Sequence, residues 1–320
     1  MFPESLSWRS PRAWLAAAIV LLMLLVPLFA QWAGSSFYLG FATRIVVFAI
    51  AASGLNLVLG YGGMVSLGHA LYVGLGAYVV GIAAFHGLTN GWAQFAIALA
   101  LAAGVAAVTG LVSLRTRGIG FIMITLAFGQ MFYFLAVSLK PYGGDDGLPL
   151  NERSQLAPLP ALDGKLALYY LALGLLFLVM FAVWRAVHSR FGMVLRGFHA
   201  NERRMLAAGH PRLRYQLTAY VASALVCTLA GFLQGNLTAF ASPSYLSWQA
   251  SGELILIVVL GGMGTVMGPL VGAVVLLVLE EMLSGWTQHW MAILGPLILL
   301  VALVSRRGIW GVVLQWEKRK

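Results

Sequence analysis

From Ile45 to Leu114 the chain carries no Asp, Glu, Lys or Arg. No other feature limits the fold so strongly. A helix needs about 20 apolar residues to cross the hydrocarbon core of a bilayer, so this one run holds more than one crossing. Further uncharged runs cover Ala13–Thr43, Gly118–Leu139, Leu166–Trp184, Tyr215–Gly252, Leu254–Leu279 and Met282–Ser305. Charged residues make up only 9% of the chain, against roughly 25% in a soluble domain. So few charges cannot cover a water-exposed surface. The strands of an outer-membrane barrel are shorter and alternate in polarity, which these runs do not. The sequence predicts an all-α, polytopic membrane protein.

Helices are expected near Ala13–Ala30, Phe41–Leu59, Met64–Phe85, Trp92–Leu114, Gly118–Leu139, Leu166–Val187 and Tyr215–Phe240. Two shorter segments, Glu253–Leu260 and Met267–Leu283, flank Gly261-Gly262-Met263-Gly264, and a last span covers Thr287–Val304. That makes about ten membrane segments. The chain divides into an N-terminus (residues 1–12), a transmembrane domain (13–304) and a basic tail (305–320). The first apolar run is long for a signal peptide and lacks a clear small-x-small cleavage site, so it reads as a retained anchor. The lone Cys227 lies in an apolar run and reads as packing.

The net charge of +10 has a topological explanation. Lys and Arg are retained on the cytoplasmic side. With the N-terminus inside, Arg115 and Arg117 fall inside, as do Arg185, Arg190, Arg196, Arg203, Arg204, Arg212 and Arg214 in and around the loop 188–214. The basic tail is also inside only if Glu253–Leu283 enters and leaves on one face, as a glycine-broken hairpin. The external loop 140–165 has no basic excess. Both termini are therefore expected in the cytoplasm, and nucleic acid is not an expected partner.

Gly60-Tyr61-Gly62-Gly63 joins two spans, with Ser66, Ala70 and Gly74 at four-residue steps beyond it. In the second half, Gly261 and Gly262 precede Gly264, Gly268 and Gly272, again at four-residue steps. Small residues at that spacing let helix backbones approach closely. Glycine-interrupted apolar segments in both halves of a chain are a feature of transporters with discontinuous helices. The likeness is one of theme, and no residue-level repeat is demonstrable. Gly62, Gly63, Gly261, Gly262, Gly264 and Gly268 are candidates for close packing or hinging.

Polar groups inside membrane segments mark pathways when they are functional, which makes Ser53, Asn56, Ser66, His69, Thr125 and Gln130 translocation-path candidates. Ser66 and His69 lack a carboxylate in the same run to orient the imidazole, so a hydrolytic triad is not expected. The histidines are scattered and the carboxylates few, which argues against a metal site. The G-x-x-x-x-G-K-[ST] phosphate loop is absent. Glu280 and Glu281 read as interfacial charges, and the spans are otherwise almost free of ionisable groups. That counts against an ion-coupled secondary transporter.

The loop 188–214 is long amid short connections. Its middle, Asn201–Ala208, predicts a helix with Asn201 as N-cap, Glu202 in the first turn, and Gly209 then Pro211 as stop signals. A short capped helix ending in Ala207-Ala208-Gly209 suits docking into a partner's groove.

Four stretches together resemble the permease subunits of the Liv-type ABC importers for branched-chain and other hydrophobic amino acids, in particular the larger of the two paralogous permeases. They are Gly60–Ala70, Arg117–Phe128, Ser189–Arg196 with Ala207–Gly209, and Val259–Pro269, supported by the glycine-rich Gly143–Leu148. The resemblance implies a multi-pass protein of the bacterial inner membrane that forms a heterodimer with its paralogue. Two cytoplasmic ATPases would hold ATP and Mg, and a periplasmic binding protein would deliver the substrate. This chain would itself need no cofactor and do no covalent chemistry. Glu202, Ala207, Ala208 and Gly209 would fall in the ATPase-coupling helix. The family pattern has an acidic residue where Asn201 stands and an aliphatic one where His210 stands. Importers of urea and short amides share this permease architecture and remain an alternative.

Overall fold

The computed structural model describes residues 18–27, 36–150, 152–155, 164–287, 289, 291–296 and 308–311. The expected last span and the two chain ends lie largely outside these residues, as do the flanks of the first span.

The described chain is helical almost throughout. Its helices are α1 (Ala18–Pro27), α2 (Ser36–Asn56), α3 (Ala70–Phe85), α4 (Gly91–Ser113), α5 (Ile119–Ser138) and α6 (Lys165–Val187). They continue with α7 (Arg190–Ala200), α8 (Glu202–Ala207), α9 (Arg212–Thr238), α10 (Trp248–Gly261) and α11 (Gly268–Trp286). A π-helical turn, Leu57–Tyr61, extends α2. Six of the described helices are long and apolar enough to cross a membrane: α2 with its extension, α4, α5, α6, α9 and α11. The all-α, polytopic expectation holds at this level.

Helix α9 is central and packs against α2, α3 and α4. Small residues allow this. Gly231 sits against the Val73 carbonyl, Gly76 faces Thr228 and Phe232, and Gly235 lies on Ala77, so α3 and α9 run parallel with backbones nearly touching. Against α2, which runs antiparallel to α9, the Ser223 hydroxyl donates to the Gly54 carbonyl at 2.6 Å. Cys227 lies 3.4 Å from the Ala51 carbonyl, in the packing role expected of it. With no hydrophobic force between helices in lipid, such close van der Waals contact and buried hydroxyl bonds hold a bundle together.

The end of the bundle away from α7 and α8 is closed by a short antiparallel pairing of β1 (Leu148–Pro149) with β2 (Phe240–Ala241). The glycine-rich loop before β1 needs its glycines. Gly143 and Gly147 have φ of 87° and 85°, and Gly147 lies against Phe240 and Ala241.

Two expectations are corrected. The helix expected over Met64–Phe85 begins only at Ala70, because Gly63 (φ 68°) turns the chain and residues 62–69 are irregular. Ser66 therefore does not share a helix face with Ala70 and Gly74. The loop 188–214 also contains a second helix, α7, before the expected one. Phe191, Val194, Leu195 and Phe198 form its apolar face, and Val194, Leu195 and Phe198 are buried. That spacing was present in the sequence among the arginines.

Candidate functional site

The two glycine-broken turns meet inside the bundle. Asn56, fully buried at the end of α2, donates from Nδ2 to the Thr265 carbonyl (2.8 Å). Its Oδ1 accepts from the Gly264 N–H (2.9 Å). One side chain thus satisfies two backbone groups of the other turn. Gly60 lies directly against Gly264, and no side chain fits between them. In the first turn the Ser66 hydroxyl accepts from the Gly68 N–H at 3.3 Å and lies 2.8 Å from His69 Nδ1. In the second, Thr265 Oγ1 accepts from the Gly268 N–H (3.1 Å) and donates to the Gly262 carbonyl (2.8 Å). Both hydroxyls sit at the same place in Gly-Gly-Met-x-Ser/Thr, over Gly62–Ser66 and Gly261–Thr265.

The six glycines divide by role. Gly261 and Gly268 make a backbone-to-backbone contact between α10 and α11, extended by Gly272 on the Ile257 carbonyl. Gly63, Gly262 and Gly264 turn the chain with φ of 68°, 127° and 71°. Gly264 is thus a turn residue and lies outside the α11 face that carries Gly268 and Gly272. Gly62 has an ordinary backbone and packs on Val58.

The path candidates are placed as follows. Asn56, Ser66, His69 and Thr125 gather at the first turn, where the Leu67 N–H donates to Thr125 Oγ1 at 3.3 Å. Ser53 donates to its own helix at the Ala49 carbonyl (2.7 Å). Gln130 is half-buried on α5. His69 is fully buried, edge-on to Tyr72 and Tyr220. Its Nδ1 faces a serine, and its Nε2 has no hydrogen-bond partner among the described residues.

The arginine-rich end carries the coupling candidates. Asn201 caps α8 by accepting from the Arg204 N–H at 3.0 Å. The helix closes in a Schellman pattern, with the Gly209 N–H donating to the Leu206 carbonyl and His210 to Met205 (3.0 and 3.2 Å). Gly209 has φ of 81°, which a β-branched residue adopts only with strain. Ala207, Ala208 and Gly209 are exposed, and Leu206 with them at 45%. Glu202 differs from the other three. Its carboxylate faces the bundle, 2.9 Å from Arg117 and 3.2 Å from Arg212. Arg212 also donates to the Leu114 and Thr116 carbonyls. Glu202 therefore ties α8 to the α4–α5 corner and to the start of α9. Behind it, His199 of α7 rests on Gly63 of the first turn.

Sequence reasoning missed a charged group inside the helices. Arg44 of α2 lies 3.6 Å from Glu280 of α11, so Glu280 is more than an isolated interfacial charge. Glu253 of α10 is half-buried, and its Oε1 has no hydrogen-bond partner among the described residues. The outward signal was faint, since the three are separated by long stretches of chain.

Residues 37–303 match the family described as branched-chain amino acid transport system, permease component. The chain is 27% identical over 292 residues to the high-affinity branched-chain amino acid transport system permease protein LivM of Escherichia coli K12. It is 26% identical to the LivM protein of Salmonella typhimurium LT2, each alignment covering 84% of this chain and 68% of the relative. No solved structure gives a significant match. The match over most of the chain, on a helical bundle built around paired glycine turns, places this protein in the family of branched-chain amino acid transport permease components.

Proposed function

We propose that this chain is the translocating subunit of an ATP-driven importer for branched-chain or related hydrophobic amino acids, with α8 as its mechanical input. The observation that carries this reading is α8 itself. It is capped at both ends and tied inward by Glu202, and it presents a small exposed tip, Leu206–Gly209. A partner seated on that tip would push on the α4–α5 corner and α9 through Glu202, and on the first glycine turn through α7 and His199.

In this reading the arginine-rich end faces the cytoplasm of the inner membrane, as do both termini. The α10–α11 pair enters and leaves on one face as a glycine-broken hairpin, which brings the segment count to about ten. The chain pairs with a paralogous permease above two ATPases that hold ATP and Mg, and a periplasmic binding protein delivers the solute. Asn56, Ser66, His69 and Thr125 then stand beside the route at the meeting of the turns.

The test is the reconstituted complex with Gly209→Val, Ala208→Trp and a cysteine pair between α8 and each ATPase. Both variants are expected to insert and assemble, yet to lose at least nine-tenths of substrate-stimulated ATP hydrolysis, and the cysteines are expected to cross-link. Normal transport in both variants with no cross-link would remove α8 from the mechanism.

A further inference from the structure

Helix α6 is long and apolar enough to cross the membrane, and one of its faces is uncovered. Leu178 and Phe181 are each 63% exposed on that face, and Arg185 is exposed one turn further on. The helix has 23 residues, with Lys165 at its start and Arg185 in its last turn. At 1.5 Å per residue these two cations stand about 30 Å apart. The hydrocarbon core is about 30 Å thick. Arg185 therefore lies at the level of the lipid phosphates, with apolar side chains on the membrane side of it.

Aromatic rings form the end of this face. Phe181 stacks on Trp184 (6.0 Å between centroids, 27° between planes), and Trp184 lies against His188 (5.0 Å, 37°). His188 Nδ1 donates to the Trp184 carbonyl at 2.7 Å, which fixes the column. A tryptophan at the end of a span seats at the headgroup level. The chain then turns at Ser189 into α7. Arg196 secures the turn by donating to the Val187 and Gly192 carbonyls. Arg190 is left exposed at the start of α7, with Met193 (58% exposed) one turn along. Two exposed arginines and two exposed apolar side chains, Phe181 and Met193, thus flank the corner where α6 packs on α7.

Charge decides what this corner fits. Between Leu166 and Gly252 the chain has seven arginines and one carboxylate, Glu202. Glu202 is already taken by Arg117 and Arg212. Arg185 and Arg190 form no ion pair among the described residues. A guanidinium matches phosphate oxygens in charge and in its paired donors. We infer that the α6–α7 corner binds one anionic phospholipid. Arg185 and Arg190 hold its phosphate, and its acyl chains lie along Phe181 and Leu178. Basic residues beside the ends of membrane helices attract such headgroups. The site requires only that α6 spans the bilayer, whatever solute the chain moves.

Native mass spectrometry of the intact complex, released from bilayers of equal phosphatidylglycerol and phosphatidylcholine content, tests this. Arg185→Gln with Arg190→Gln is expected to retain one phosphatidylglycerol fewer per copy of this chain than the wild type. Arg115→Gln, also exposed but at the α4–α5 corner, is expected to retain the full number. No loss in the double variant would overturn the site, and so would an equal loss in Arg115→Gln, which would mean a diffuse basic surface. Soluble glycerophosphoglycerol in excess is expected not to displace the lipid. Displacement would make the corner a site for a free phosphate ester and overturn the lipid assignment. A second measurement needs no variant. Phosphatidylglycerol with a diazirine on its acyl chain is expected to label residues 174–184 of the wild type at least threefold more than the phosphatidylcholine analogue does. Equal labelling by the two lipids would also overturn the site.

Discussion

The two glycine-broken turns share a pattern and are held by different means. In the first, residues 62–69 form a long irregular link, fixed by side chains: Ser66 on Gly68 and His69, Thr125 on Leu67, Ser251 on the Ala70 N–H at 3.0 Å. In the second, backbones do most of the holding. Gly261 meets Gly268 and Gly272 meets Ile257, and no side chain intervenes. Asn56 is one-sided, since it belongs to the first half and serves the second. The first turn also touches α7 through His199, whereas the second is in contact with Gly308. A turn fixed by side-chain bonds can change partners, and a turn fixed by backbone contact can only open or close. We therefore read the first turn as the one that answers α8, and the second as its rigid counterpart.

The largest effect that would sharpen this comparison comes from a methyl or more at Gly261. A Cβ there would run into the Gly268 carbonyl, and backbone cannot move aside cheaply. Gly261→Ala should destabilise the α10–α11 pair by about 3 kcal/mol and cut the yield of assembled complex at least tenfold, read by size-exclusion chromatography. The matching change at Gly62 meets the Val58 carbonyl at 2.7 Å and the flexible Met64 Cε at 3.0 Å, with an ordinary φ of −86°. Gly62→Ala should retain about half the yield or more. Equal losses at the two sites would erase the distinction between the turns.

The next effect down is the clamp. Asn56→Leu keeps the bulk but strips partners from the Gly264 N–H and the Thr265 carbonyl. Each buried group left unpaired costs about 1–3 kcal/mol, so the complex should assemble in reduced amount and melt earlier. Uptake should fall further than assembly does, because the first turn is no longer held in register against the second. A variant with normal uptake per assembled complex would make Asn56 a packing residue only.

The sequence carried most of the bundle and little of the geometry of its sites. Uncharged runs mark helices because lipid tolerates no charge along them, and that signal is local. The α8 caps were legible for the same reason: Asn201, Gly209 and Pro211 act within one turn of the residues they bound. Asn56 could be picked out as polar, but not as a clamp, since its partners lie more than two hundred residues away. The Arg44–Glu280 pair was missed because the two charges lie far apart in the chain until α2 and α11 bring them together. The Gly-Gly-Met-x-Ser/Thr correspondence is faint in the sequence because it is only five residues long and its two copies differ after the hydroxyl, Leu67-Gly68-His69 against Val266-Met267-Gly268.

The smallest predicted effect bears on those hydroxyls. Thr265 Oγ1 accepts from the Gly268 N–H and donates to the Gly262 carbonyl, so it works as a cap at the start of α11. Loss of such a cap costs about 0.5–2 kcal/mol. Thr265→Val should therefore lower stability by about 1 kcal/mol, and Thr265→Ser, which keeps the oxygen, should be near neutral. Ser66 is different, because its oxygen serves the Gly68 N–H and also stands 2.8 Å from a fully buried imidazole. In Ser66→Ala, His69 loses its one partner among the described residues at Nδ1, while Nε2 already has none. Its cost should be about the same 1 kcal/mol for the cap, plus a further loss for the orphaned ring nitrogen. Double replacement with His69→Phe removes the ring nitrogens altogether and should recover that second part but not the first. Thermal melts of the three single variants and the one double variant measure this directly. If Ser66→Ala and Thr265→Val cost the same and the double variant recovers nothing, the imidazole plays no part in holding the first turn, and the two turns are more alike than their contacts suggest.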